Sequence, residues 1–408
     1  MNILEMAKKA KTASLKLQSL PEAKRIKALS AISKELIKEK KKILTANLKD
    51  QKEAKKNNLD AAMLDRLSLT EKNITDLSQM CLEVAKQKQV VGTIAETSTR
   101  SDGLVIQKQR IPIGVIGMIF ESRPNVVIDG AALAIKSGNA IILKGGKEAI
   151  NSNKVLHQVI TKATKTILPA GSIHLIETRE EVGELLKLNQ YIDLMVPRGG
   201  SSLVQYVKTN ATMPVIAHDK GLCHTYVHHD ADVDVAKIVL NAKVQRSSAC
   251  NALETLLLHE KYKKNKEVVL ALIDAGVEIH GDKKIQKFSP KILAATPIDF
   301  ATEWLAKKIS IRMVKSEDEA IEHIQQYSSH HTEAILAKDK KVIDLFLNSL
   351  DAACLVVNGS TRFNDGGELG LGAELGISTS KLHAYGPMGA AEMTTTRFIV
   401  TGSGHIRN

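Results

Sequence analysis

Aromatic residues make up only 3% of this chain of 408 residues, with a single tryptophan. The core must therefore be built from Leu, Ile, Val, Ala and Met, and stacking platforms for nucleic-acid bases are not expected. Cysteine is also sparse: Cys81, Cys223, Cys250 and Cys354 are the four, and no two form a CxxC pair. That argues against a zinc framework or disulfide scaffold and fits a reducing compartment. No uncharged apolar run reaches membrane-spanning length, and the charged, amphipathic start lacks the apolar stretch of a secretory signal. A cytoplasmic protein without a membrane span is expected. HExxH, P-loop and GxSxG motifs do not occur. His228-His229 and His330-His331 lack helical metal-ligand spacing and read as surface or local hydrogen-bonding residues. No metal is expected, and neither an internal repeat nor a low-complexity tract is present.

What the chain does have is bulk and positive charge. Hydrophobic residues make up 43%, enough for a large core and two or more domains, and the net charge is +12. A basic balance can signal nucleic acid, a membrane surface or an anionic small substrate. Much of the lysine lies early, as in Lys38-Glu39-Lys40-Lys41-Lys42, and reads as a solvated helix face.

Residues 1 to about 88 read as helices, with Thr70 as the N-cap of one. Leu104–Ile113 reads as an extended ribbon that Pro112 ends. An alternating series follows, with strands at Gly114–Phe120, Ala140–Leu143, Ile173–Ile176 and Ile192–Val196. The first is apolar along its length, as for a strand buried on both faces of a parallel sheet. A second α/β series runs from about 223 to 360, with strands at Cys223–Val227, Leu253–Leu258, Ile309–Val314, Ala334–Leu336 and Leu355–Asn358. Residues 361–393 are glycine-rich and irregular, and Arg397–Val400 reads as a short strand with few partners of its own, available to another subunit.

Several positions could carry chemistry. Cys250 lies on the helix-to-strand loop Gln245–Asn251, four residues after Arg246, whose charge could favour its thiolate. Spacing alone favours the plainer reading of a small buried hydrophobe. Asn125 follows the first buried strand and opens a helix: it is an oxyanion donor or a plain N-cap. Gly199-Gly200-Ser201 also join a strand to a helix and could admit a phosphate. Lys144 ends the second strand and could meet a phosphate, a ribose or only solvent. The run Gly366–Gly376 is not a dinucleotide fingerprint and reads as a close-packed loop lining a site. His383 could contact an anion or be structural.

Taken together, these residues resemble a known family. Ile113–Val126, Pro197-Arg198-Gly199-Gly200, Gln245–Asn251 with Glu254–Leu257, Ser360–Phe363, and Lys381–Ala384 with Gly386–Gly389 resemble the gamma-glutamyl phosphate reductases of the aldehyde dehydrogenase superfamily. The resemblance implies NADPH-dependent reduction of L-glutamyl 5-phosphate to L-glutamate 5-semialdehyde with release of phosphate, the second step of proline biosynthesis. It implies an α/β, aldehyde-dehydrogenase-like fold: a Rossmann-like cofactor domain over 1–222, a catalytic domain over 223–360, a return segment over 361–393 and an oligomerisation element from 104–113 and 394–408. By the same resemblance Cys250 is the nucleophile that forms a thioester, and Asn125 with the Cys250 N–H binds the oxyanion. Lys144, Gly199, Gly200, Ser201 and, more loosely aligned, Glu303 would hold NADPH. Arg123, Arg246 and His383 would hold the substrate. A homo-oligomer, and glutamate 5-kinase as a further partner, are also implied.

Departures are visible. The stretch 217–224 lacks the glutamate with which hydrolytic relatives activate water, and it is more charged than usual, with Asp219 as a conceivable substitute acid. Tyr385 stands where arginine is common, and Ser247-Ser248 replaces a proline-containing pair. Rival readings are an aldehyde dehydrogenase that makes the free acid, a basic RNA-binding protein, and an inactive scaffold for the kinase.

Overall fold

The computed structural model describes residues 2–217 and 220–407. Five helices open the chain: α1 (Ile3–Gln18), α2 (Glu22–Lys38), α3 (Lys40–Lys56), α4 (Ala61–Leu67) and α5 (Glu71–Lys86). Thr70 caps α5 in a reciprocal box with Asn73, which satisfies donors the first turn leaves open. Two extended segments follow, β1 (Ile94–Thr99) and β2 (Val105–Pro112).

The first α/β series is β3 (Val115–Phe120), α6 (Val126–Ser137), β4 (Ala140–Lys144), α7 (Ile150–Thr164), β5 (Ile173–Ile176), α8 (Arg179–Leu185), β6 (Leu194–Arg198) and α9 (Ser201–Asn210). Its strands form a parallel sheet in the order β5-β4-β3-β6. Every residue of β3 is buried, each large apolar side chain contributing roughly 1.5–3 kcal/mol. Gly117 faces Leu185 of α8, while Met118 faces Gly130 of α6, so neighbouring residues look to opposite helical layers. Helix α1 packs beside α8 on the first of these faces. An element that reads as a preceding helix thus closes the sandwich. Gly138, at φ 74°, ends α6 in the left-handed conformation.

The second series is β7 (Cys223–Val227), α10 (Val235–Val244), β8 (Leu253–His259), α11 (Asn265–Asp274), β9 (Glu278–Gly281), β10 (Leu293–Ala294), α12 (Pro297–Phe300), β11 (Lys308–Val314), α13 (Glu317–Tyr327), β12 (Thr332–Leu336), α14 (Lys340–Ser349) and β13 (Cys354–Val357). They build a seven-stranded parallel sheet, ordered β10-β9-β11-β8-β7-β12-β13. Leu256 and Leu258 join the core under α10 and α11, and Leu257 joins the one under α13 and α14.

After β13 the chain is irregular, apart from a short 3₁₀ turn (Thr361–Phe363) and the two-residue pair β14 (Ile377–Ser378) and β15 (Gly386–Pro387). Leu375, Met388 and Met393 of this segment belong to the core of the first sheet. Strand β16 (Thr394–Thr401) then pairs antiparallel with β2 over its whole length, from Thr394↔Pro112 to Thr401↔Val105. This corrects the expectation of a strand with few partners of its own. The three-stranded ribbon, ordered β1-β2-β16, leaves Phe398 and Val400 exposed. Strand β6 also begins two residues later than expected, because the Ile192 N–H closes a turn on the Leu188 carbonyl. No helix among the described residues is long and apolar enough to cross a membrane.

Candidate active site

Cys250 lies between α10 and β8, half-buried, at the amino end of the second sheet. Its loop is clamped from several directions. The Cys223 thiol donates to the Cys250 carbonyl at 3.2 Å. Gly221 lies so close that a Cβ there would sit 1.9 Å from the same oxygen, which is why only glycine fits. Arg66, on α4, donates to the Ser248 carbonyl at 3.0 Å. Buried Asn251 donates to the Asn364 carbonyl at 2.9 Å and accepts from Thr361 at 2.7 Å. Arg362 donates to Gln245 at 2.8 Å. Such support leaves a reactive group little freedom to move, which is what preorganisation requires. Burial pushes the Cys81 thiol up to about 12 and raises Cys223 and Cys354 above the usual thiol range, so these three are poor nucleophiles.

Opposite Cys250, β3 ends and the chain turns through Ser122, at φ 39°, into α6. Asn125 immediately precedes α6 but makes no capping bond. Its Nδ2 donates instead to Asp129 Oδ2 at 2.8 Å, so the plain-cap reading does not hold. Arg123 is half-buried. Burial, then the nearby charges of Arg198, Arg66 and Arg246, bring its guanidinium down to about 10, while a negative charge at Cys250 acts the other way. Arg362 is likewise within electrostatic reach of Cys250 and Arg246. Arg66, Arg123, Asn125, Asp129 and Arg246 line one cavity of about 490 Å³. Positive charges crowded at the cost of their hydration favour an anion that neutralises them.

A second rim lies at the ends of β4 and β6. Half-buried Lys144 feels Glu148 and Glu121, and burial lowers its pKa. Glu121 also accepts from the Gly200 N–H at 2.9 Å, and a Cβ at Gly199 would sit 2.5 Å from its carboxylate. Helix α9 starts here without a side-chain cap. An internal carboxylate thus rests at a helix N-terminus, where a phosphate group would also be favoured. Lys144, Gly199, Gly200 and Ser201 therefore suit a dinucleotide, provided Glu121 swings aside.

The fold brings Arg123, Asn125 and Arg246 around one cavity, with Cys250 within electrostatic reach of Arg123. Glu303 is half-buried and accepts at 2.8 Å from the N–H of Gly221, the residue that lies against the Cys250 carbonyl. His383 is not brought to the arginines: it is exposed, and Nε2 pairs with the Glu392 carbonyl at 3.0 Å. Tyr385 donates to Asp351 at 2.8 Å. Glu374, in the glycine-rich loop, pairs with Arg198 at 3.1 Å, so that loop does reach the site. Asp219 lies outside the described residues. Sequence reasoning missed Arg66, Asp129, Arg362 and Glu374, which come from distant parts of the chain. Signals were available for three of them: Asn125 and Asp129 are one helical turn apart, Arg362 lies in the Ser360–Phe363 stretch, and Glu374 lies in the glycine-rich run read as lining a site.

The aldehyde dehydrogenase family model matches residues 1–278. A gamma-glutamyl phosphate reductase of Carboxydothermus hydrogenoformans is 46% identical over 411 residues, covering 99% of each chain. One from Caldanaerobacter subterraneus subsp. tengcongensis is 46% identical over 413 residues, covering 100% of each. The crystal structure of gamma-glutamyl phosphate reductase from Thermotoga maritima superimposes with a TM-score of 0.95 at 41% identity, covering 100% of both chains. An acetylating aldehyde dehydrogenase from Geobacillus thermoglucosidasius, at 17% identity and a TM-score of 0.72, shares the fold. The chain is an oxidoreductase of aldehyde-dehydrogenase-like fold, and it belongs to the aldehyde dehydrogenase family and, within it, to the gamma-glutamyl phosphate reductases.

Proposed function

We propose that this protein uses NADPH to reduce L-glutamyl 5-phosphate to L-glutamate 5-semialdehyde, releasing phosphate, as the second step of proline biosynthesis in the cytoplasm. The observation that carries this reading is the half-buried Cys250 held within reach of Arg123 and Arg362, beside an arginine-lined cavity. The Cys250 thiolate attacks the acyl carbon, and the carbonyl electrons move onto oxygen. The Asn125 amide and the Cys250 N–H donate to that oxyanion. Collapse breaks the C–O bond to phosphate and leaves a thioester on Cys250. Arg123, Arg246 and Arg66 neutralise the departing phosphate and the substrate carboxylate. Lys144, Gly199, Gly200 and Ser201 would hold a nicotinamide cofactor, which would supply the hydride that reduces the thioester. The same two donors hold the second oxyanion, whose collapse expels the thiolate and frees the aldehyde. Glu303 supports the Gly221 turn against the nucleophile loop. We further propose residues 1–222 as the cofactor domain and 223–360 as the catalytic domain, a homo-oligomer built through the ribbon, and glutamate 5-kinase as the substrate's supplier.

The test runs the reaction backwards. Wild-type protein should reduce NADP+ with glutamate semialdehyde only when phosphate is present. Cys250→Ala should lose at least about 10⁴-fold in rate while remaining folded. Turnover independent of phosphate would instead favour a dehydrogenase that makes the free acid.

A further inference from the structure

We infer that Asp129 is a positioning residue that keeps the N–H of the Asn125 amide, not its carbonyl, turned toward the reacting centre; the inference rests on the reductase reading above. Asn125 stands where asparagine ordinarily caps a helix, yet it makes no cap bond. Its amide points along α6 and donates to Asp129 at 2.8 Å. An amide has two ends: the nitrogen only donates and the oxygen only accepts. An ionised carboxylate only accepts, so it takes the nitrogen and repels the oxygen. With one amide hydrogen bound to Asp129, the other is available to a ligand in the cavity both residues line.

The charges around Asp129 come from several elements. Arg198 at the end of β6 and Arg123 before α6 favour its carboxylate, and Glu374 in the glycine-rich loop opposes it. Cys81 on α5 is buried and un-ionised, and Asp76 of α5 lines the same cavity. Burial outweighs the arginines and pushes the carboxyl up to about 6. At neutral pH it is ionised and holds the donor in place. Below its pKa the protonated carboxyl can donate to the amide oxygen, and the amide is free to turn. A developing oxyanion would then meet a carbonyl lone pair, so the chemical step should weaken on the acid side. The competing explanation is structural: a carboxylate in the first turn of a helix stabilises its positive end.

Steady-state kinetics of the reverse reaction, from about pH 5 to about pH 8, separate the two. The proteins are wild type, Asn125→Ala, Asp129→Asn and the double variant. Asp129→Asn should lower kcat about tenfold, a fraction of the about 100- to 1,000-fold cost of losing an oxyanion donor. KM for the semialdehyde should stay within about threefold, and the acid limb should disappear. In the Asn125→Ala background the second substitution should cost nothing further. An equal loss in that background, or an acid limb that survives in Asn125→Ala, overturns the inference. The Asn125→Ala profile alone decides the matter should Asp129→Asn fail to fold. Cys250→Ala, run alongside, keeps the two failures apart: if it turns over like wild type, the reductase reading falls, whatever Asp129 does.

Discussion

The two parallel sheets meet the site with opposite ends. The first offers the carboxyl ends of β3, β4 and β6, where Asn125, Lys144 and Gly199 lie. The second offers the amino ends of β7 and β8, where Cys223 and Cys250 lie. Carboxyl ends lead into helix N-termini, whose N–H groups and dipoles suit anions. Amino ends follow helix C-termini, and Cys250 comes after the C-terminus of α10, a poor place to stabilise a thiolate. Positive charge must therefore come from elsewhere: Arg123 from the first sheet and Arg362 from the return segment. In the proposed mechanism the labour is divided: one sheet binds and polarises while the other holds the nucleophile by its backbone.

Substitutions can break that division from either side. On the binding side, Asn125→Ala should lower kcat about 100- to 1,000-fold with little change in KM, as read by reverse-direction kinetics. A drop confined to KM would mean that Asn125 binds substrate rather than an oxyanion. On the holding side, Gly221→Ala inserts a methyl where only 1.9 Å separates it from the Cys250 carbonyl oxygen. The loop must shift, and a displacement near 1 Å can cost about 100-fold in rate. A variant with wild-type kcat would show that the close approach is dispensable. The smallest effect is expected at Arg66→Ala, which removes a positive charge and the bond to Ser248. KM for phosphate should rise about tenfold, in line with one lost charge-assisted hydrogen bond. Iodoacetamide labelling of Cys250 should also slow, because less of it would be thiolate. Unchanged labelling would mean that α4 only braces the loop.

Much of the fold was legible because its strongest signals are local. The apolar run of β3 and the Thr70 cap each depend on neighbours within a few residues. The placing of α1 beside α8 was not legible, since an amphipathic helix does not state which surface it will cover. Nor did local pattern give the pairing of β16 with β2, which joins residues almost 300 positions apart; only the family resemblance put the two segments in one element. At the site, Asn125 illustrates the limit: its type suggested a cap, and only the packing showed its amide bound to Asp129. His383 shows the same limit in reverse: its neighbours in sequence do not include the Glu392 carbonyl that holds it.

By itself the sequence determined the two α/β series, the loop that carries Cys250 and the glycines near α9, because periodicity and turn chemistry act over short distances. Only the tertiary structure decided which charges surround the sulfur. Arg123 and Arg362, which lie within electrostatic reach of it, come from separate stretches of the chain far from residue 250, and electrostatic influence depends on distance through space rather than along the backbone.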